Sequence, residues 1–180
     1  MPTPDDILSF WFGEHGPQDW FGGTPEFDAR LAERFGSVHP RFAAGETYGW
    51  RTTPAGRLAE IIALDQFSRQ LYRGSAQAFA TDGMALVLAQ EAVAGGHDLE
   101  LEPVRRKFLY MPYMHSESLR IHEEAVRLFA ALGDEDTLSH ERAHVEVLER
   151  FGRYPRRNAA LGRVSTEEEL AYIAAADRMF

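Results

Sequence analysis

The sequence predicts an all-α protein of about seven or eight helices packed as antiparallel pairs. Three observations predict it. Helix-start signals in which Thr or Glu precedes Pro recur along the chain. Apolar residues follow these signals at steps of three and four. No stretch alternates with period two for long, and no Asn-Gly or Asp-Gly turn joins two such stretches.

The elements follow in order. Thr24 caps a helix with Pro25 at its first position. Phe27, Leu31, Phe35, Val38 and Phe42 continue it as one stripe, which Gly36 and Pro40 break or kink. Thr53-Pro54 repeats the signal, and Leu58, Ile61 and Ile62 carry that helix to about Arg73. Thr81-Asp82 opens a third long helix that Gly95-Gly96 closes. Glu102-Pro103 opens a helix that Pro112 interrupts, and Ser116 or Ser118 caps its continuation to about Leu132. A further helix runs from about Asp136 to Phe151 and stops at Gly152. Ser165-Thr166 followed by Glu167, Glu168 and Glu169 is a doubled capping box that opens the last helix. The short loops favour antiparallel pairs, as in a helical repeat array. The 180 residues suit a single helical domain spanning residues 1–180, without an internal sequence repeat or linker.

Composition narrows the function classes. An apolar share of 44% and 12 Phe suffice for a core. The absence of Cys excludes disulfides, thiolate metal sites and thiol catalysis, and fits a reducing cytoplasm. The opening MPTPDDILSFWFGEHG has no basic leader before its apolar run, and no window reads as a membrane span. A sequence pI near 5.2 argues against nucleic-acid or anionic-membrane partners. Against that background, residues 150–163, RFGRYPRRNAALGR, hold five arginines and no acid in a chain of formal net charge -9.

Charge interrupts the core stripes in three places. Asp65 and Arg69 extend the Leu58, Ile61, Ile62 face and are spaced to pair along a helix. His115 and Glu117 sit in FLYMPYMHSES, where Pro112 makes the backbone irregular. His144 joins Val147, Leu148 and Phe151 on one helical face, ahead of the arginine-rich turn. One or two of those arginines favour the carbonyl end of the helix, which does not account for all five.

His140-Glu141-Arg142-Ala143-His144 matches the H-E-x-x-H zinc-protease pattern, in which two histidines bind zinc and Glu141 is the general base. No third ligand is selected by spacing, so a zinc hydrolase is the weakest alternative and no metal is expected. P-loop, Rossmann and G-x-S-x-G fingerprints are absent.

Several segments together carry a family resemblance: ILSFWFG (7–13), LDQFSRQLYRG (64–74), AFATD (78–82), FLYMPYMHSES (108–118) and RFGRYPRRNAALGRVSTEEE (150–169). In this order they resemble the bacterial domain-of-unknown-function family nine-twenty-four, over nearly the whole chain. The resemblance implies a tetratricopeptide-repeat-like helical array and no assigned activity. The family pattern has proline where this chain has Ser68, and histidine where it has Arg156. A mechanism using a histidine at 156 therefore fails here. The pattern carries a histidine at His144 but none at His140, which weakens the zinc reading further.

Asp65, Gln66, Arg69, His115, Glu117, His144, Arg153, Arg157 and Asn158 are expected to converge on one concave face, with Trp11, Trp20 and Tyr110 as apolar walls. The leading reading is a cofactor-free binding protein whose arginines receive a small anionic molecule or an acidic peptide. A second is a cofactor-free enzyme in which His115 with Glu117 or Asp65 moves a proton. A third is an internal polar network with no ligand.

Overall fold

The computed structural model describes residues 1–175, and every regular element among them is helical. None of these helices is long and apolar enough to cross a membrane. The chain divides into two compact units, residues 1–73 with 77–112, and residues 74–76 with 113–180.

The first unit holds α1 (Pro4–Leu8), α2 (Pro17–Gly22), α3 (Pro25–Leu31), α4 (His39–Ala43), α5 (Pro54–Ile62), α6 (Ser68–Leu71), α7 (Asp82–Ala94) and most of α8 (Pro103–Met114). The expected start signals form. Thr24 Oγ1 accepts from the Phe27 amide at 3.2 Å, and Thr53 Oγ1 from the Gly56 amide at 3.1 Å. Thr81 precedes α7, but its hydroxyl donates to the Leu64 carbonyl at 2.6 Å instead of capping the helix. Three runs switch to a π turn: Ser9–Glu14 after α1, Ala32–Gly36 after α3, and Ala63–Phe67 between α5 and α6. Phe10, Trp11, Phe27, Phe35, Phe42, Phe67 and Phe108 are sealed in the core. Val38, expected inside, is only half-buried. The chain turns at Ser37 and Val38, and His39 takes the inward position.

The Gly56 backbone packs closely on the preceding loop. A Cβ there would lie 2.0 Å from the Trp50 carbonyl oxygen. Gly56→Ala is expected to destabilise the protein by about 1–3 kcal/mol, measured as a lower urea midpoint.

Pro112 does not interrupt α8. The helix runs through it to Met114 and ends two residues later. Phe108, Leu109, Tyr110, Met111, Tyr113 and Met114 are all buried, and that packing offsets the hydrogen bond the proline ring cannot make. The irregular backbone falls instead on residues 115–118.

The second unit is built on α9 (Leu119–Leu132) and α10 (Glu135–Phe151), a helix hairpin turned by Gly133 at φ 71°. Asp134 caps α10 by accepting from the Thr137 amide at 3.2 Å. Gly152, at φ 70°, ends it as expected. After the turn through Arg157, Thr166 and Glu169 cap α11 (Glu167–Ala175) reciprocally, at 3.1 and 2.8 Å. The all-α expectation holds. A regular succession of equal antiparallel pairs, as a repeat array requires, is not evident in this packing.

Candidate functional site

The inward face of α10 carries Thr137, Leu138, Glu141, His144, Val147 and Leu148, at helical spacing. Two ionisable groups therefore enter the interior of the second unit. From α9, His122 joins them on the stripe His122, Ala125, Leu128, Phe129.

His122 fixes its own protonation by its contacts. Nε2 lies 2.9 Å from the Ser116 carbonyl, which only accepts, so Nε2 carries a hydrogen. The Tyr154 hydroxyl donates to the Met114 carbonyl at 2.8 Å and receives from the same Nε2–H at 3.1 Å. Nδ1 is 2.6 Å from Glu141 Oε1, so one proton lies between imidazole and carboxyl. Both side chains are buried, and Glu141 Oε2 has no hydrogen-bond partner.

His144 Nδ1–H donates to the His140 carbonyl at 2.7 Å, which leaves Nε2 as an acceptor. Burial pushes this imidazole down to about 3, against the hydrogen bond to His140, and the charges of His115, His122 and Arg157 push the same way as burial. His144 is therefore neutral at pH 7. Its ring meets that of Tyr154 edge-on, with centroids 5.5 Å apart.

Glu117 accepts from the Tyr154 amide at 2.7 Å and from Arg163 through Nη1 at 2.8 Å and Nη2 at 2.9 Å. Burial would raise its carboxyl. Arg163, the Tyr154 amide and the charge of Arg157 outweigh burial and hold it below the usual range. Arg157 lies over the Tyr154 ring at 4.6 Å and donates to the His115 carbonyl at 2.9 Å. Arg153 grips Glu169 at 2.6 and 2.8 Å. That arginine, the Thr166 amide and Asn158 hold the Glu169 carboxyl at about 2, against some desolvation. Asn158 is buried, donates to Ser165 at 3.0 Å and accepts from Arg163 at 2.9 Å.

The second unit thus brings together His115, Glu117, His144, Arg153, Arg157 and Asn158. Asp65, Gln66, Arg69 and Trp11 belong to the first unit. There Asp65 sits in the π turn, buried, accepting from Gln66 at 2.5 Å and pairing with Arg69 at 3.1 Å, the expected i,i+4 pair. Arg69 also grips Asp82 at 2.9 and 3.0 Å. Trp11 is no exposed wall. It is enclosed by Trp20, Phe27, Phe67 and Phe108. Tyr110 is likewise buried, donating to Asp98 at 2.5 Å. Two open surface cavities, of about 250 and 420 Å³, lie in the first unit, and neither is lined by a residue expected at the site.

H-E-x-x-H does not assemble a metal site. His140 is exposed, with Nδ1 on the Asp136 carbonyl at 2.8 Å, while Glu141 turns inward to His122. Among the described residues no group of three His, Asp or Glu side chains could hold a metal ion.

The profile of a bacterial protein of unknown function (DUF924) matches residues 7–177. The chain belongs to the DUF924 family. A solved structure, that of the protein of unknown function ATU0120 from Agrobacterium tumefaciens, is 37% identical to this chain, with a TM-score of 0.90. The match covers 96% of this chain and 97% of that one. No curated protein matches this chain. The DUF924 segments recognised in the sequence coincide with the buried polar clusters: LDQFSRQ carries Asp65, Gln66 and Arg69, and RFGRYPRRN carries Arg153, Tyr154, Arg157 and Asn158.

Sequence reasoning missed His122, Tyr154, Arg163 and Glu169 as members of the cluster. His122 was legible. It interrupts an apolar stripe as His144 does. Glu169 does cap α11, and the same carboxylate also receives Arg153, a partner the sequence did not indicate.

Proposed function

We propose that this DUF924 chain binds a small anionic molecule at the His115 and Arg157 side of the second unit's polar cluster. One observation carries the reading. In a chain of net charge -9, residues 150–163 hold five arginines and no acid, and Arg157 among them lies half-buried with its guanidinium on the His115 carbonyl. A local excess of positive charge in an acidic protein attracts carboxylate or phosphate. Arg157 is held by the Tyr154 ring and the His115 carbonyl, which orders its guanidinium before any ligand arrives. His115 and Arg157 are half-buried, with His144, Tyr154, His122 and Glu141 packed behind.

The acid–base alternative is less well supported. Glu117 is committed as an ionised acceptor to Arg163 and the Tyr154 amide, and Asp65 to Gln66 and Arg69. An ionised Glu117 held by Arg163 is a poor proton donor at neutral pH.

A thermal-shift panel of carboxylates, phosphates and acidic peptides tests the proposal. A ligand at a hundredfold excess over its Kd adds about 2.7 kcal/mol of stability. The expected result is a raised midpoint with one small anion, lost in Arg157→Ala. A shift with acidic peptides alone would move the reading to a peptide partner. Silence across the panel would leave the cluster a packing device.

A further inference from the structure

The first unit holds another place where charge meets open space. Its cavity of about 250 Å³ opens beside α1 and the π turn that follows. Leu8, Phe12 and Ala55 give it an apolar lining, and Asp5, Ser9 and Arg105 a polar one. Most arginines of this unit are committed to acids or carbonyls: Arg34 to Glu14, Arg41 to Glu46, Arg51 to Glu60 and Arg106 to the Asp98 and Leu101 carbonyls. Arg105 is different. Its guanidinium lies over the Phe12 ring at 5.5 Å and, among the described residues, makes no ion pair or hydrogen bond. The Asp5 carboxylate is likewise without a side-chain partner among them. The two opposite charges line the same cavity without pairing with each other.

Gly13 lines this cavity too, and a Cβ placed on it meets nothing within 4 Å. The volume is below the roughly 300–1,000 Å³ of drug-sized sites, which suits a ligand of metabolite size. A ligand with one charge would leave either Asp5 or Arg105 unmatched. A ligand with both charges and an apolar body matches all three kinds of surface.

We propose that this cavity binds a free α-amino acid with an apolar side chain. The carboxylate meets Arg105 and the Ser9 hydroxyl, the ammonium meets Asp5, and the side chain packs on Leu8, Phe12 and Ala55. The site shares no residue with the anion cluster of the second unit.

Calorimetric titration of the full chain with leucine and with phenylalanine tests this. Saturable binding of at least one is expected. N-acetyl-leucine, which lacks the cation, and leucinamide, which lacks the anion, should each bind roughly tenfold more weakly or worse. Arg105→Ala should weaken the free amino acid to the same degree. Gly13→Leu should abolish binding while leaving the circular dichroism spectrum and thermal midpoint unchanged, since its side chain enters open space. Arg157→Ala should leave binding intact. No saturable binding of either amino acid, equal binding of the capped compounds, or binding that survives both Gly13→Leu and Arg105→Ala would overturn the proposal.

Discussion

Glu141→Ala should lower stability by about 3–5 kcal/mol, the cost of breaking a buried charged pair by removing one member. His122 keeps its Nε2 hydrogen on the Ser116 carbonyl whatever happens at Nδ1, so Nδ1 would face an empty space in the interior. Glu141→Gln should recover most of the loss. Its amide N–H can donate to Nδ1, which leaves the Nε2 contacts of His122 intact. A double substitution of His122 and Glu141 by leucine should also be less damaging than Glu141→Ala, because no polar group is left stranded. Urea unfolding of the three variants checks this ranking. A loss below about 1 kcal/mol in Glu141→Ala would mean that water reaches the pair.

Acid is the second lever. The His144 pKa falls from an ordinary 6.5 to about 3 on folding. Between those values the unfolded chain holds a proton there that the folded chain refuses, so stability falls as pH drops below about 6.5. The slope from this group is about 1.4 kcal/mol per pH unit. His39, lowered by burial against the pull of the Ala63 carbonyl, acts in the same direction. Carboxylates enter later. Glu169, at about 2 in the fold against an ordinary 4.5, contributes stability that is present above 4.5 and is lost as pH falls toward 2. Glu117 acts in the same sense. Unfolding midpoints should therefore decline from about pH 6.5, well before the carboxylate range. His144→Gln should flatten the upper part of that decline, leaving the share of His39. Urea midpoints at pH 7.5, 6 and 5 in both proteins measure the difference.

How far the sequence reached depends on the kind of signal. Caps and helix ends were legible because one residue type decides each: Thr24, Thr53, Gly152 and the Thr166–Glu169 box act locally. The Asp65–Arg69 pair was legible because four residues of helix set its geometry. Pro112 misled because burial of the aromatics around it outweighs a local preference. The π turns left no trace, since a widened turn keeps the apolar spacing almost unchanged. The destinations of the arginines were not legible. Arg153 reaches Glu169 and Arg163 reaches Glu117, contacts that span 16 and 46 residues. No local rule selects such partners. The H-E-x-x-H match failed for a related reason: Glu141 points where α9 is, and a five-residue pattern carries no information about α9.

One carboxylate gives the end of the chain a particular order of events. Glu169 closes the first turn of α11 and at the same time holds Arg153 and Asn158. The helix cannot unwind from its start without letting go of the turn after α10, and that turn cannot open while the helix start is closed. Helix and turn should therefore protect their amides from hydrogen exchange as one cooperative unit. A protease that cuts near residue 166 should loosen the Arg153 turn in the same step.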